Sequence, residues 1–215
     1  MQTYVQRDVR LFRNITNLAA FSRFVYLCAN YAGQVLNRDE LAKKTGVDTK
    51  TVLACLGLLE SSYLILLLQP WYKNMNKRVM KSPKLYFYDT GLLCHLSGLK
   101  SISALKGSSA YGAIFENWII SEIRKNNENS GVNDRFYYFR DSAGNEVDLL
   151  IERNEEVLAV EINSGAKFNE SILRGLKYWR KYHPENQGIL VYGRSSDRIL
   201  DERMSMLSWK QVTEL

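Results

Sequence analysis

The chain has 215 residues, a net charge of +6 and 46% hydrophobic residues, a composition typical of a globular protein with a sizeable core. Its longest apolar run, Leu64 to Leu68, is far too short to cross a bilayer, and charged residues near the N-terminus argue against a signal peptide. Three widely spaced cysteines argue against a zinc knuckle or a redox pair and indicate a reducing, cytoplasmic location.

Charge is distributed unevenly along the chain. Residues 1–100 contain 14 Lys and Arg and 6 Asp and Glu, which gives a net charge of +8. Residues 101–215 contain 15 Lys and Arg and 17 Asp and Glu, which gives a net charge of −2. A basic half favours a polyanionic partner, and nucleic acid is the commonest one. A generically solubilising basic surface is the alternative.

In chain order, the first half is predicted to be mainly helical, with helices over residues 7–18 and 19–31 and two short helices after Asn37. The two short helices have the spacing of a helix-turn-helix, in which Gly46 permits the turn and Asp48 or Thr49 caps the second helix. Leu41 and Ala42 close the first helix, Val47 fills the turn, and the expected core face of the second helix is Val52, Leu56 and Leu59. Candidates for DNA contact on the second helix include Thr49 and Lys50, beside Asp48 and Leu53.

A basic loop, KNMNKRVMKSPK, lies between the apolar residues 64–69 and a predicted strand over residues 85–88, and this arrangement resembles the wing of a winged helix. Its positive charges are further candidates for phosphate contact. They are Lys73, Lys77, Arg78, Lys81 and Lys84. Many winged helices instead recognise proteins, in which case this loop is merely solvated.

The Gly- and Ser-rich segment 101–112 lies where the charge balance changes sign. It predicts a linker between a helical winged-helix-like domain over residues 1–100 and an α/β domain over residues 113–215. The second half is predicted to contain helix 111–125, strand 136–140, a hairpin within 145–165, helix 170–181 and strand 188–192.

The hairpin places acidic residues opposite each other. With Asn154 and Glu155 as the loop, Asp148 faces Glu161, and Glu146 faces Asn163. Alternation then assigns an apolar set to the opposite face, namely Val147, Leu149, Ile151, Leu158, Val160 and Ile162.

Opposed carboxylates on adjacent strands repel unless they are solvated or share a cation. Mg²⁺ prefers such oxygen ligands, so Asp148 and Glu161 are candidate metal ligands. Glu116, at the edge of the buried stripe of the preceding helix, is a candidate third carboxylate. A solvent-facing acidic hairpin is the alternative interpretation.

Several motifs together resemble a known family, the domain of unknown function four-one-four-three. They are Tyr4 to Asp8, Gly33-Gln34 with Asn37, the helix-turn-helix, KSPKLYFYDTGLL from Lys81, Phe115-Glu116-Asn117 and Glu146-Val147-Asp148. The resemblance covers nearly the whole chain. It implies a C-terminal half similar to the PD-(D/E)XK restriction-endonuclease-like fold, and a P-loop ATPase domain preceding this region.

Two departures from these patterns bear on function. No G-x-x-x-x-G-K-[ST] motif occurs, so we expect this chain to bind no ATP by that route and to work with an ATPase in cis or in trans. The nuclease-like E-x-K element here reads Glu161-Ile162-Asn163, and Asn163 lacks the ammonium that would stabilise a phosphorane. Lys167 is a candidate substitute.

The sequence thus predicts an α/β protein with a winged-helix-like half and a nuclease-like half of a mixed sheet flanked by helices. We expect a nucleic-acid-associated region of an ATPase, with DNA bound by the basic half and a degenerate nuclease-like site. The alternatives are an active Mg²⁺-dependent nuclease using Glu116, Asp148, Glu161 and Lys167, or a module that recognises proteins.

Overall fold

The computed structural model describes residues 18–72, 82–165, 167–194 and 198–215. The predicted helix 7–18, the Tyr4 to Asp8 motif and most of the basic loop therefore lie outside the described residues. Within these ranges the α-helices, in chain order, are α1 Leu18–Ala29, α2 Arg38–Thr45, α3 Thr49–Ser61, α4 Thr90–Leu96, α5 Ile102–Gly107, α6 Tyr111–Asn129 and α7 Arg174–Tyr182. Two 3-10 helices cover Glu170–Leu173 and Trp209–Glu214.

The predicted helix-turn-helix is confirmed in α2 and α3. Asn37 caps α2 by accepting the Glu40 N–H at 3.1 Å. Gly46 ends α2 with φ of +73°, a left-handed conformation that favours glycine. Asp48 caps α3 by accepting the Thr51 N–H at 2.7 Å. The expected core face of α3 is buried, and so are Leu41 and Ala42, while Val47 is partly buried against the same core.

The described strands form one mixed sheet of eight, in the order β2-β1-β3-β4-β5-β6-β8-β7. The strands are β1 Ile65–Pro70, β2 Lys84–Phe87, β3 Arg135–Arg140, β4 Glu146–Arg153, β5 Glu156–Asn163, β6 Gln187–Tyr192, β7 Arg198–Asp201 and β8 Met204–Ser208. Strands β5, β6 and β8 are mutually parallel, while β3, β4 and β5 are antiparallel. The sequence pattern did not reveal β7 and β8.

The wing-like strands β1 and β2 belong to this large sheet. They pair antiparallel, as expected of a wing, and the end of β1 then pairs parallel with β3 through Gln69 and Pro70. The sheet therefore continues across the segment 101–112, which contains α5. Whether the two halves fold as separate domains stays a prediction.

Both faces of the sheet are covered by helices. On one face Ile119 and Ile120 of α6 pack in a core with Leu149 and Val160. In a second core Leu176 and Trp179 of α7 pack with residues such as Leu150. Burial on both faces explains why β4 and β5 carry long apolar runs.

The predicted register of the hairpin is confirmed. Asn154 and Glu155 form its turn with φ of 49° and 72°, and Leu149 pairs with Val160. One expectation about its apolar face was wrong, because Val147 packs in the second core with Trp179. The pairing of β3 with β4 shifts register beside it, and such a bulge interrupts the alternation of side chains.

The part of the chain that the structure describes contains no helix long and apolar enough to cross a membrane. Its cysteines, Cys28, Cys55 and Cys94, are free thiols.

Candidate active site

Asp148 and Glu161 lie at the open end of the β4–β5 hairpin. Asp148 directly precedes Leu149, the first residue of β4 that pairs with β5, and its Oδ2 accepts the Ile162 N–H at 2.9 Å. Glu161 Oε2 is buried and has no hydrogen-bond partner among the residues that the structure describes. A buried carboxylate oxygen without a partner carries a desolvation cost, which a proton or a cation would offset.

Glu116 of α6 joins these acids as the third carboxylate. Its Oε1 accepts a hydrogen bond of 2.6 Å from the Tyr86 hydroxyl and lies 3.4 Å from Lys84 Nζ. Tyr86 and Lys84 are two residues apart on β2, so their side chains point to the same side of that strand. Strand β2 therefore fixes the position of a carboxylate that belongs to a helix.

Lys84 connects the carboxylates to one another. Its Nζ forms an ion pair with Glu146 and lies 3.9 Å from Asp148 Oδ1, in addition to its contact with Glu116. The residue is only 3% exposed. These acids form what we call the acidic cluster, namely Glu116, Glu146, Asp148 and Glu161. We expected Lys84 to contact DNA phosphates with the basic loop. That expectation was wrong, because Lys84 is the first residue of β2 and its buried side chain points into the acidic cluster.

The neighbours of β2 hold Lys84 in place. The Gly33 N–H donates to Leu85 O at 2.8 Å, and Val35 forms an isolated bridge with Lys84. Gly33 has φ of +75° and lies close to the Glu116 carboxylate, where a β-carbon would be 3.9 Å from its oxygens. The Gly33-Gln34 motif thus packs against the acidic cluster.

Asn117, next to Glu116, anchors the other end of β2. Its side chain is fully buried, accepts the Phe87 N–H at 2.7 Å and donates to Phe87 O at 2.9 Å. The motif Phe115-Glu116-Asn117 therefore contributes a core residue, an acid of the cluster and an anchor for the strand that carries Lys84.

The acidic cluster perturbs its own ionisation. Burial raises the pKa of Asp148, and the charge of Glu116 raises it further while Lys84 opposes both. Burial and then the charge of Asp148 raise the pKa of Glu161. For Lys84, burial disfavours the ammonium, but Glu116, Asp148 and Glu146 outweigh it and raise the pKa of the lysine. Lys84 is thus protonated at neutral pH.

Helix α7 closes the cluster from another side. A β-carbon at Gly175 would lie 2.2 Å from Glu146 O and 2.6 Å from Glu161 Oε2. A real β-carbon essentially never comes this close, so glycine permits the contact between α7 and the two strands.

Two predicted catalytic residues remain, Asn163 at the end of β5 and Lys167 after it. Asn163 Oδ1 accepts the Gly165 N–H at 2.8 Å and so stabilises the turn after β5. Lys167 is exposed and forms no ion pair with the residues that the structure describes. Sequence reasoning missed Lys84, Tyr86, Glu146 and Gly175 as members of the site. The two-residue spacing of Lys84 and Tyr86 in a strand is a signal that could have revealed the first two.

The oxygen-rich donor set fits a hard divalent cation such as Mg²⁺. Asp148 and Glu161 would hold it, and the unpartnered Glu161 Oε2 is the observation that supports this fit. Over the described ranges, no group of three or more His, Cys, Asp or Glu residues is arranged so as to enclose a metal ion. Any cation here would therefore keep several water ligands, as Mg²⁺ commonly does.

The predicted DNA-binding residues are only partly described. Lys50 is exposed near the start of α3, whereas Thr49 is half-buried and donates to Asp39 Oδ1 at 3.2 Å. The others lie outside the described residues, namely Lys73, Lys77, Arg78 and Lys81.

Two family models match the chain. Residues 111–212 match the model described as "Domain of unknown function (DUF4143)", which confirms the resemblance for the C-terminal half. Residues 1–103 match a different model, "Domain of unknown function (DUF8612)". The match to DUF4143 is therefore shorter than the resemblance over nearly the whole chain that we expected. The motif KSPKLYFYDTGLL falls within the match to DUF8612. The acidic cluster combines residues from both matched regions.

The curated relatives are longer proteins. The uncharacterized protein Rv2008c of Mycobacterium tuberculosis is 29% identical over 160 residues, which cover 74% of this chain and 35% of that protein. The uncharacterized protein Mb2031c of Mycobacterium bovis has the same identity and coverage. The chain therefore spans about a third of the length of these relatives.

Proposed function

We propose that this chain is a nucleic-acid-associated region whose acidic cluster hydrolyses phosphodiester bonds with the help of a divalent cation. The basic half binds DNA, and the half over residues 111–212 is similar to the PD-(D/E)XK fold. The observation that carries the proposal is the position of Lys84 Nζ, 3.9 Å from Asp148 Oδ1 and 3.4 Å from Glu116 Oε1.

The main objection to catalysis is that the E-x-K element lacks its lysine, and Lys84 answers this objection. Asn163 has no ammonium at the position where the E-x-K pattern has a lysine, so the sequence favours a degenerate site. Lys84 brings one ammonium to the same carboxylates from another strand. Because Glu116, Asp148 and Glu146 keep it protonated, its charge is present at neutral pH to offset negative charge that develops on a phosphate.

The other residues have distinct roles in this proposal. Asp148 and Glu161 bind the cation, which when bound stabilises charge on the phosphoryl oxygens and activates water. Tyr86 orients Glu116 through the 2.6 Å hydrogen bond. The pKa values of Asp148 and Glu161 are raised by burial and by neighbouring acids, so a cation at these carboxylates would compete with protons.

A degenerate site that binds DNA without cutting it is the second candidate. Lys84 forms ion pairs with Glu116 and Glu146 at the same time, so its ammonium already neutralises part of the charge that would attract a cation. In this case Lys84 substitutes for the metal and the cluster has a structural role.

The partners in this proposal are DNA and a P-loop ATPase domain, in cis or in trans, and the location is cytoplasmic. The length of the curated relatives is compatible with further domains in the full protein. The +8 charge of residues 1–100 and the exposed Lys50 support DNA binding by the helical half.

The decisive experiment incubates the purified chain with labelled single-stranded, duplex and branched DNA, with Mg²⁺ or with EDTA. Hydrolysis is expected only with Mg²⁺ and is expected to disappear in Asp148→Asn, which keeps the size of the side chain but removes its charge. Binding without cleavage in every condition would reject the hydrolase and favour the degenerate site. The absence of both binding and cleavage would favour a module that recognises proteins.

A further inference from the structure

A cleft lined by aromatic rings lies at the C-terminal end of α7. We call it the aromatic cleft, and its volume is about 210 Å³. Ligand pockets for drug-sized molecules are typically about 300–1,000 Å³, so this cleft suits a single planar ring system. The lining residues are Phe139, Tyr178, Trp179, Tyr182 and His183.

The rings of the cleft support one another. Tyr178 stacks on Phe139 with centroids 6.1 Å apart, and Trp179 meets Phe139 edge-on at 5.3 Å. Tyr182 lies 5.2 Å from Tyr178. Trp179 is buried, whereas Tyr182 is 60% exposed. The cleft therefore has a fixed aromatic wall and an exposed ring at its mouth, an arrangement suited to stacking a flat group.

The helix that carries the cleft is basic. It has four Lys and Arg residues and no Asp or Glu along RGLKYWRKY. Two of these cations pair with acids outside the helix, Lys177 with Glu170 at 2.9 Å and Arg180 with Asp201 at 2.7 Å. Lys181 is exposed, with its Nζ 5.6 Å from the ring centre of Tyr182. The Tyr178 hydroxyl also donates a hydrogen bond to the Asp141 carboxylate, so the positive charge left to attract a phosphate is mainly that of Lys181. A ligand with flat rings and negative charge, such as a nucleotide, fits the aromatic wall beside this cation.

The aromatic cleft and the acidic cluster lie along the same side of α7. Gly175, which touches Glu161 Oε2, is followed at three, four and seven residues by Tyr178, Trp179 and Tyr182. Residues at these intervals share one face of a helix. At about 1.5 Å per residue, the tyrosines lie roughly 5–10 Å along the helix from Gly175. Stacked nucleotides rise about 3.4 Å each, so this interval spans about two or three of them.

We propose that the aromatic cleft binds an unpaired base of a single-stranded nucleic acid, about two or three nucleotides from a phosphate at the acidic cluster. The inference rests on the proposed function, because it places the bound base next to a site of hydrolysis. A base within a duplex is stacked and paired on both sides, so it cannot enter the cleft without unpairing. The substrate class is therefore single strands or frayed ends.

The test measures binding of a fluorescent oligothymidylate to the whole chain at low salt in EDTA, so that cleavage does not intervene. Tyr182→Ala is expected to weaken binding by about tenfold, in the range of losses measured for one stacked base. Tyr182→Phe keeps the ring and is expected to bind as the unmodified chain does. Tyr26→Ala is the matched control, because Tyr26 is also an exposed tyrosine on a helix, 48% exposed and outside the cleft.

A competitor without bases separates stacking from charge attraction. An abasic oligodeoxyribose phosphate is expected to compete at least several-fold less well than oligothymidylate for the unmodified chain, and equally well for Tyr182→Ala. Unchanged affinity in Tyr182→Ala, an equal loss in Tyr26→Ala, or no binding of single strands by the unmodified chain would each overturn the proposal. Because this binding is measured in EDTA, failure of the unmodified chain to cleave DNA with Mg²⁺ would refute the hydrolase and leave the cleft standing.

Discussion

Lys84 Nζ lies 3.9 Å from Asp148 Oδ1, although β1 and β3 separate their two strands in the sheet. The lysine comes from the half of the chain that matches one family model, and the aspartate comes from the half that matches another. Lys84 also pairs with Glu116 and Glu146, which lie in the same half as Asp148, so its ionic contacts couple the two halves.

Lys84→Met tests that coupling. Methionine keeps most of the side-chain volume and removes the charge, leaving Glu116, Glu146 and Asp148 without their shared cation. Breaking a buried ion pair typically costs about 3–5 kcal/mol. We expect a loss of that order in the free energy of unfolding measured by urea denaturation.

Lys50→Met is the control for Lys84→Met, because Lys50 is exposed. Its effect on unfolding is expected to stay within about 0.5 kcal/mol. Equal effects of the two substitutions would contradict the importance of the Lys84 ion pairs.

Asn163→Lys distinguishes an active site from a degenerate one. If Lys84 already supplies the required ammonium, a second one changes the rate of Mg²⁺-dependent cleavage by less than about tenfold. If the site is degenerate for want of that charge, the substitution raises the rate by about 10²–10³. Initial rates on labelled DNA provide the measurement, and any gain should disappear when Asp148→Asn is added.

The acidic cluster makes stability depend on pH. Because the pKa values of Asp148 and Glu161 are raised in the folded chain, the unfolded chain releases these protons first, at the ordinary carboxyl pKa of about 4. The folded state then binds more protons than the unfolded state, so their contribution to stability is present below about pH 4 and declines as pH rises through the raised values. Melting temperatures from about pH 5 to about pH 8 are expected to fall more in this chain than in Asp148→Asn/Glu161→Gln.

Mg²⁺ is expected to reverse that decline. The cation competes with protons for Asp148 and Glu161, so its binding strengthens as pH rises. Adding Mg²⁺ should raise the melting temperature more at about pH 8 than at about pH 5, by the ordinary linkage of binding to stability. An equal shift in the Asp148→Asn/Glu161→Gln variant would place the bound cation elsewhere.

Asn117→Ala removes the anchor of β2. The substitution leaves the buried Phe87 N–H and C=O without the two partners that Asn117 gives them. Each unsatisfied buried group costs about 1–3 kcal/mol, so the total loss for the two groups is expected to be about 2–6 kcal/mol. Chemical denaturation measures it. Asn126→Ala, which removes one exposed hydrogen bond on the same helix, is the control and should cost about 1 kcal/mol or less.

The basic loop supplies a prediction that rests on sequence alone. Replacing Lys77, Arg78 and Lys81 together with Ala removes three charges that would release counterions from DNA. The log–log slope of affinity against salt is expected to become less steep by about 0.9 per lost contact, or roughly 3 in all. Binding titrations from low to moderate salt measure the slope. An unchanged slope would assign the phosphate contacts to other residues.

Local sequence patterns determined much of this protein. The Asn37, Gly46 and Asp48 caps define the helix-turn-helix, and the turn at Asn154 and Glu155 fixes the hairpin register, because both depend on residues within a few positions of one another. The same register placed Asp148 opposite Glu161. These features follow from backbone geometry and alternation, which a single sequence reveals.

Tertiary structure decided the rest. Lys84 looks like one more charge in a basic stretch, and only the pairing of β2 with its neighbours directs its side chain into the acidic cluster. The contact of Gly175 with Glu161, and the bulge that turns Val147 to the second core, likewise depend on packing between distant segments. The location of a charge in the fold depends on which strands come together, and long-range pairing leaves no periodic signal in the sequence around it.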